Sequence, residues 1–223
     1  MHPTPADPHP ESPARRRLLR ASLGGVAVFG IAGPVIADAL TPTPANAEGP
    51  FYPRQKPADS DADLTQVAGQ AGRAKGTILY VTGRVVDTSG KPIGAAELEL
   101  WQANAFGRYT HPRDSDSSGP LDPGFQGYGK LVADASGQFR IKTIKPPPYS
   151  GRTPHIHFNV AGAGARLTTQ MFFEGEAMNE RDGLYRYLNR DDRRASTGRF
   201  VHRAAAMEPD AVAVVWDIVL KVS

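Results

Sequence analysis

The run Lys145-Pro-Pro-Pro-Tyr149-Ser-Gly-Arg152-Thr-Pro154-His155-Ile-His157-Phe158 constrains this chain more than any other stretch. Three prolines fix φ and stiffen the backbone ahead of Tyr149, so that tyrosine is presented from a rigid loop. A strand is expected next. Ile156, Phe158 and Val160 are β-branched or aromatic, and Pro154 suits a first strand residue. Successive side chains of a strand point to opposite faces. His155 and His157 therefore share one face, with Ile156 buried behind them, and two imidazoles on one face are a chelating geometry. A lone His-x-His also occurs on strands as ordinary polar residues. Here the neighbours add weight: Tyr149, and Arg152 three residues ahead of His155.

The rest of the chain reads as short strands between turns. Leu79–Asp87 is rich in β-branched residues and runs into the turn Thr88-Ser-Gly-Lys-Pro92. Ala96–Trp101 alternates polar and apolar, as a half-buried strand does. Residues 104–129 read as loop. Leu131–Ala133 and Gln138–Thr143 read as a hairpin across Asp134-Ala-Ser-Gly137. Leu167–Phe173 is a further strand, and the charged stretch Glu176–Arg194 a short helix and loop. Ala211–Leu220, apolar on both faces, is expected to close the fold as a central strand. With 223 residues, 40% apolar, 20 prolines and 23 glycines, the chain suits one turn-rich core. The expected class is all-β: an antiparallel β-sandwich whose long loops form the site.

Composition narrows the chemistry. There is no cysteine, so thiolate ligands, disulfides and cysteine nucleophiles are excluded, and a metal must be held by nitrogen and oxygen. A net charge of +3, with basic residues scattered beyond the N-terminus, gives no reason to expect nucleic acid as a partner. Residues 1–47 read as an export leader. Arg15-Arg-Arg-Leu-Leu-Arg20 precedes an apolar, small-residue run from Ala21 to Ala39, and Ala45-Asn-Ala47 fits a small-x-small cleavage pattern. The arginine motif resembles the twin-arginine signal, which carries proteins across a membrane already folded. The apolar run contains Gly24, Gly25, Gly30, Gly33 and Pro34, which favours cleavage over retention as an anchor. No other segment is long and apolar enough to span a bilayer, so no membrane association is expected of the mature form. The expected organisation is thus leader 1–47, an extended segment 48–76 and a catalytic domain 77–223, in the periplasm or outside the cell.

Several motifs stand in a fixed order: Gly83-Arg-Val-Val-Asp87, Gly90-Lys-Pro-Ile-Gly94, Glu99-Leu-Trp101 through Gly107-Arg108-Tyr109, Leu121-Asp-Pro123, Thr143-Ile-Lys-Pro146, Pro148-Tyr149, Arg152-Thr-Pro-His155-Ile-His157-Phe158 and Thr169-Gln170-Met-Phe-Phe-Glu174-Gly. Together they resemble the intradiol ring-cleavage dioxygenases, most nearly the protocatechuate 3,4-dioxygenase type. The resemblance implies a mononuclear, non-haem Fe(III) held by Tyr109, Tyr149, His155 and His157. It implies that Arg152 steadies charge on the substrate, that Gln170 and Trp101 line the pocket, and that Tyr149 also takes part in catalysis. Tyr52, in the segment Glu48-Gly-Pro-Phe51-Tyr52, is a further pocket candidate. The implied reaction inserts both atoms of O2 into a catechol-type ring between its hydroxylated carbons, giving a muconate-type diacid.

Two departures from the family pattern stand out. Only Ser150 and Gly151 separate Tyr149 from Arg152, which alters one pocket wall. Nothing resembles the helical dimerisation segment of catechol 1,2-dioxygenases. Assembly with a second copy, or with a related chain, stays open. So does the substrate, with a hydroxyquinol or a lignin-derived aryl catechol as alternatives to protocatechuate. A competing reading keeps the β-sandwich as an exported binding module with a vestigial metal site.

Overall fold

The structure, a computed structural model, describes residues 39–115 and 119–222. The greater part of the expected leader lies outside the described residues, as do 116–118. Nine strands, one 3₁₀ turn and one short helix make up the regular structure among the described residues. In chain order they are β1 Ile78–Asp87, β2 Glu97–Trp101, β3 Tyr128–Val132, β4 Gln138–Ile144, β5 His155–Gly162, β6 Ala165–Phe173, the 3₁₀ turn Asn179–Arg181, α1 Arg190–Ser196, β7 Thr197–Val201, β8 Val212–Val215 and β9 Ile218–Leu220. The all-β expectation holds.

The strand order is β3-β2-β5-β6-β7-β8-β1-β4, with β9 also paired to β1. Most pairings are antiparallel, but β1 runs parallel to β8 and β9, and β6 parallel to β7. β7 joins the two halves: Thr197 and Gly198 pair with β6, and Arg199–Val201 pair with β8. Alternation along each strand sends one set of side chains into a common core. Val81 and Val85 of β1, Leu98 and Leu100 of β2, Phe139 and Ile141 of β4, Ile156 and Phe158 of β5, and Met171 and Phe173 of β6 all belong to it. The opposite face of β2, β5 and β6 is thereby released for other work.

Two expectations are corrected, and one strand was not foreseen. Leu131–Ala133 and Gln138–Thr143 do not form a hairpin. The turn between them is real, with Gly137 N–H donating to the Asp134 carbonyl at 2.9 Å, but β3 pairs with β2 while β4 pairs with β1. A local turn signal cannot tell whether the strands that leave it stay together. The closing stretch breaks at Trp216-Asp217 into β8, which is central between β7 and β1 as expected, and β9, which pairs with β1 alone. The strand β7 was hidden in sequence by its charged and exposed residues.

The break has a cause in β1. A Cβ built on Gly83 would lie 1.8 Å from the Trp216 carbonyl oxygen and 2.9 Å from the Phe139 ring. The bare backbone of Gly83 lets the chain cross there, with Trp216 N–H donating to the Thr82 carbonyl at 2.9 Å. Overpacking a fixed core costs about 1–3 kcal/mol. Gly83→Ala is therefore expected to lower the denaturant midpoint by an amount equal to about 2 kcal/mol or more. Gly183→Ala, where a Cβ meets nothing within 4 Å, should stay within about 0.5 kcal/mol of the parent. Equal midpoints for the two variants would contradict this reading of the crossing.

Candidate active site

Cross-strand register builds the floor of the site. Tyr128 pairs with Trp101, Trp101 with His157, and His157 with Gln170, giving one row across β3, β2, β5 and β6. All four side chains lie on the face away from the core, because their neighbours Leu100, Ile156, Phe158 and Met171 fill it. Trp101 stacks on His157 with ring centroids 4.9 Å apart and planes 13° from parallel. His155 lies two residues before His157 on the same face, at a ring separation of 4.9 Å.

Two loops bring phenols over this floor. Tyr149-Ser150-Gly151-Arg152 closes as a two-residue turn: Arg152 N–H donates to the Tyr149 carbonyl at 2.8 Å, and Tyr149 N–H donates back at 3.2 Å. Ser150 and Gly151 have φ of 46° and 76°, the left-handed pair of a tight hairpin turn. The short loop noted in sequence is thus a clamp that fixes Tyr149 beside Arg152. Tyr109 arrives from the other side. Its backbone N–H donates to Asp114 Oδ2 at 2.6 Å, and Asn104 Oδ1 accepts the N–H groups of Phe106 and Arg108. Gly107 leaves room where any side chain would meet Tyr149 Cβ at 3.0 Å.

The result is a cluster of donors. Tyr109 and Tyr149 hydroxyls are 3.0 Å apart, and Tyr149 Oη is 3.1 Å from His155 Nε2. His155 Nδ1 lies 2.7 Å from the Thr153 carbonyl and donates to it. That bond fixes the tautomer, so the Nε2 lone pair faces the phenols. His157 sits over the same patch, its ring 6.2 Å from that of Tyr109, and its Nδ1 is buried without a hydrogen-bond partner. Burial, with the nearby Arg152 cation, holds His155 down to about 4, and burial with His155 and Arg152 holds His157 well below the ordinary histidine range. Burial pushes the Tyr109 phenol well above its usual value and raises Tyr149 as well. Without a cation the four groups are therefore neutral. Among the described residues no three His, Cys, Asp or Glu side chains are placed to hold a metal ion together, so any metal here must draw on the phenols.

Arg152 is anchored behind the cluster. Its Nε donates to Asp182 Oδ2 at 2.7 Å and its Nη2 to Gln170 Oε1 at 2.7 Å. Gln170 Nε2 donates in turn to the Ala47 carbonyl at 2.8 Å. Asp182 also accepts the N–H groups of Thr153, Leu184 and Tyr185. Burial alone would raise the Asp182 carboxyl, but these bonds and the Arg152 charge hold it below its usual range. Sequence reading missed Asp182, since one aspartate in a charged loop carries no local signal.

Tyr52 does not join the donor cluster. Its ring meets Trp101 edge-on at 4.8 Å, while its hydroxyl donates to Glu99 Oε2 at 2.6 Å, beside Tyr128, which donates to Glu99 Oε1 at 2.7 Å. Phe51 stacks on Tyr109 at 4.7 Å instead. Outside the cluster, Tyr187 is exposed and Tyr80 buried, while His111 is half-buried with its ring 5.9 Å from Phe51.

Comparison with known proteins agrees with this architecture. The family model Dioxygenase_C, described as dioxygenase, matches residues 47–222. The protocatechuate 3,4-dioxygenase beta chain of Burkholderia cepacia is 38% identical over 181 residues, covering 77% of this chain and 76% of that one. A hydroxyquinol 1,2-dioxygenase of Nocardioides simplex is 30% identical over 163 residues; the match covers 64% of this chain and 51% of that relative's length. Among solved structures, the dioxygenase domain of a carbohydrate-binding fusion protein from Streptomyces sp. SirexAA-E superposes with a TM-score of 0.60 at 30% identity, covering 82% of this chain and all of that one. The hydroxyquinol 1,2-dioxygenase of Pseudomonas putida DLL-E4, at 20% identity and a TM-score of 0.64, shares the fold, over 82% of this chain and 68% of that one. With its motifs in order, its all-β fold and a family match over residues 47–222, this chain belongs to the intradiol ring-cleavage dioxygenases, a family of oxidoreductases.

Proposed function

We propose that the chain is a ferric intradiol dioxygenase that opens a catechol-type ring between its two hydroxylated carbons. The observation that carries the reading is the meeting of Tyr109, Tyr149, His155 and His157 within hydrogen-bonding or ring-contact distance. Two phenols and two imidazoles, with no thiolate and no carboxylate among them, fit a hard trivalent ion. Phenolate oxygen is a hard donor, and a strong cation replaces the phenolic protons that burial otherwise retains. Two phenolates also reduce the net charge and favour the ferric state, unlike the carboxylate-bearing sites of ferrous oxygenases. A ferric ion held there supplies Lewis-acid activation of a bound catechol toward O2.

The chain's own residues account for the other requirements. Tyr149 sits at the cluster's edge on a two-residue turn, and its Oη can take a proton from an incoming catechol. Tyr109, clamped through its backbone to Asp114, keeps its place. Arg152 offers a fixed cation where negative charge builds on the ring, an electrostatic role that preorganisation makes effective. Trp101 and the Gln170 amide set the pocket wall beside His157. The ring carbon–carbon bond breaks, and the two atoms of O2 end in the two new carboxyl groups, with no further oxidant or reductant.

Relatives named for protocatechuate and for hydroxyquinol bracket the substrate class. Four strictly arranged donors support catalysis over a vestigial binding site. We also propose that the protein works outside the cytoplasm, on the strength of the twin-arginine-like leader. Iron-loaded protein incubated with O2 and catechol, hydroxyquinol, protocatechuate or an aryl-substituted catechol is expected to yield a ring-opened diacid from at least one, detected by mass spectrometry with both atoms derived from ¹⁸O2. Recovery of every catechol unchanged would count against the proposal.

Asp182 supplies a second test. Breaking a buried ion pair from one side costs about 3–5 kcal/mol because the remaining charge is stranded. Arg152 keeps partial exposure, so the lower end applies. Asp182→Ala is expected to lose about 3 kcal/mol of stability and at least tenfold in kcat, as the guanidinium swings out of register. Asp182→Glu should recover part of both. Full activity in Asp182→Ala would remove the anchored arginine from the account.

A further inference from the structure

The segment ahead of the family match is built into the folded body. Residues 40–47 run past Thr88, β9 and β6 and are pinned at Leu40, Thr43, Pro44, Asn46 and Ala47. Leu40 N–H donates to the Thr88 carbonyl at 2.8 Å. Thr43 N–H donates to the Val219 carbonyl at 3.0 Å, and its Oγ1 accepts the Val219 N–H at 3.0 Å. Thr43 is 4% exposed. Thr169 Oγ1 donates to the Pro44 carbonyl at 2.8 Å, and Asn46 N–H donates to the Thr168 carbonyl at 2.9 Å. The Ala47 carbonyl accepts the Gln170 amide that leaves Gln170 Oε1 for Arg152.

This packing bears on where an export leader ends. A twin-arginine-type signal carries a protein that has already folded. A peptidase must take its scissile bond as extended chain, so a stretch held by fewer hydrogen bonds is released more easily. In the folded body the Ala47 carbonyl is the acceptor for Gln170, and the residue before it is paired to β6. Cleavage after Ala47 would have to strip the strap from the sheet and would remove the residue that orients Gln170. A second small-x-small pattern lies just upstream, at Ala37-Asp38-Ala39. It closes the apolar run, and the bond after it is held at one point, the Leu40 N–H to the Thr88 carbonyl, whereas a cut after Ala47 must release the whole strap.

We propose that the leader is removed after Ala39, so that Leu40–Ala47 stays in the mature protein as a strap past β9 and β6. The proposal rests on the export reading and not on the iron chemistry. Water adds across the Ala39–Leu40 peptide bond. Hydroxide goes to the Ala39 carbonyl carbon, and a proton goes to the Leu40 nitrogen, which keeps a hydrogen for the Thr88 carbonyl.

The test is to express the full chain in a host with twin-arginine export and read the exported protein's N-terminus by intact mass and terminal sequencing. A start at Leu40 is expected. A start at Glu48, or anywhere within residues 41–47, would overturn the proposal while leaving export intact. An uncut chain held in the cytoplasm would overturn the export reading and this proposal with it. Ala39→Leu, a bulky residue at the cleavage position, should block processing, whereas Ala47→Leu should not. The reverse pattern would overturn the assignment. None of these readouts depends on catalytic activity.

Discussion

The two-residue period of β5 is the constraint on which the rest depends. Ile156, Phe158 and Val160 enter the core, so His155 and His157 must face the other way. A slip of one residue would exchange the two sets, and the cost of packing imidazoles into the apolar core in place of Ile156 and Phe158 forbids it. Register with β2 and β6 then fixes what stands beside each imidazole. Trp101 and Gln170 flank His157 because they are its paired residues, with no loop to adjust. The half of the site that must be rigid is therefore made by the same burial that makes the fold.

The other half comes from loops, and each is held by backbone hydrogen bonds as well as by packing. Tyr149 is set by a turn that requires two left-handed residues, and Tyr109 by a carboxylate that captures its N–H. Electrostatics gives the arrangement its purpose. Burial keeps both phenols protonated and both imidazoles neutral, so the cluster holds four donors and no charge until a cation enters. The permanent charges nearby, Arg152 and Asp182, are satisfied by each other. That pairing leaves a positive edge beside the donors without a free carboxylate to compete with phenolate for the ion.

Much of this was legible in sequence where one local rule decides the outcome. Alternation placed His155 and His157 on one face, and the apolar run at residues 211–220 marked a central strand. The ordered motifs selected Tyr109 and Tyr149, which lie forty residues apart and meet at 3.0 Å. What failed needed long-range information. The Asp134–Gly137 turn looked like a hairpin because a turn does not encode whether its strands diverge into different layers. β7 escaped because a joining strand with exposed Arg199, Phe200 and Val201 lacks the alternation of a half-buried one. Asp182 was invisible because its importance comes from Arg152, thirty residues away. Tyr52, expected near the pocket from its sequence neighbours, meets Trp101 edge-on while Glu99 captures its hydroxyl.

The ferric, two-phenolate site is the central claim, and its most direct test is optical. Phenolate bound to ferric iron absorbs visible light by charge transfer, whereas neither apo protein nor iron held by imidazole alone does so. Wild-type protein loaded with ferric ion should turn red-brown, and Tyr149→Phe, with one phenolate left, should show a weaker and shifted band together with slower turnover. A preparation that binds one ferric ion per chain yet stays colourless, or a Tyr149→Phe spectrum identical to the wild type, would contradict the account.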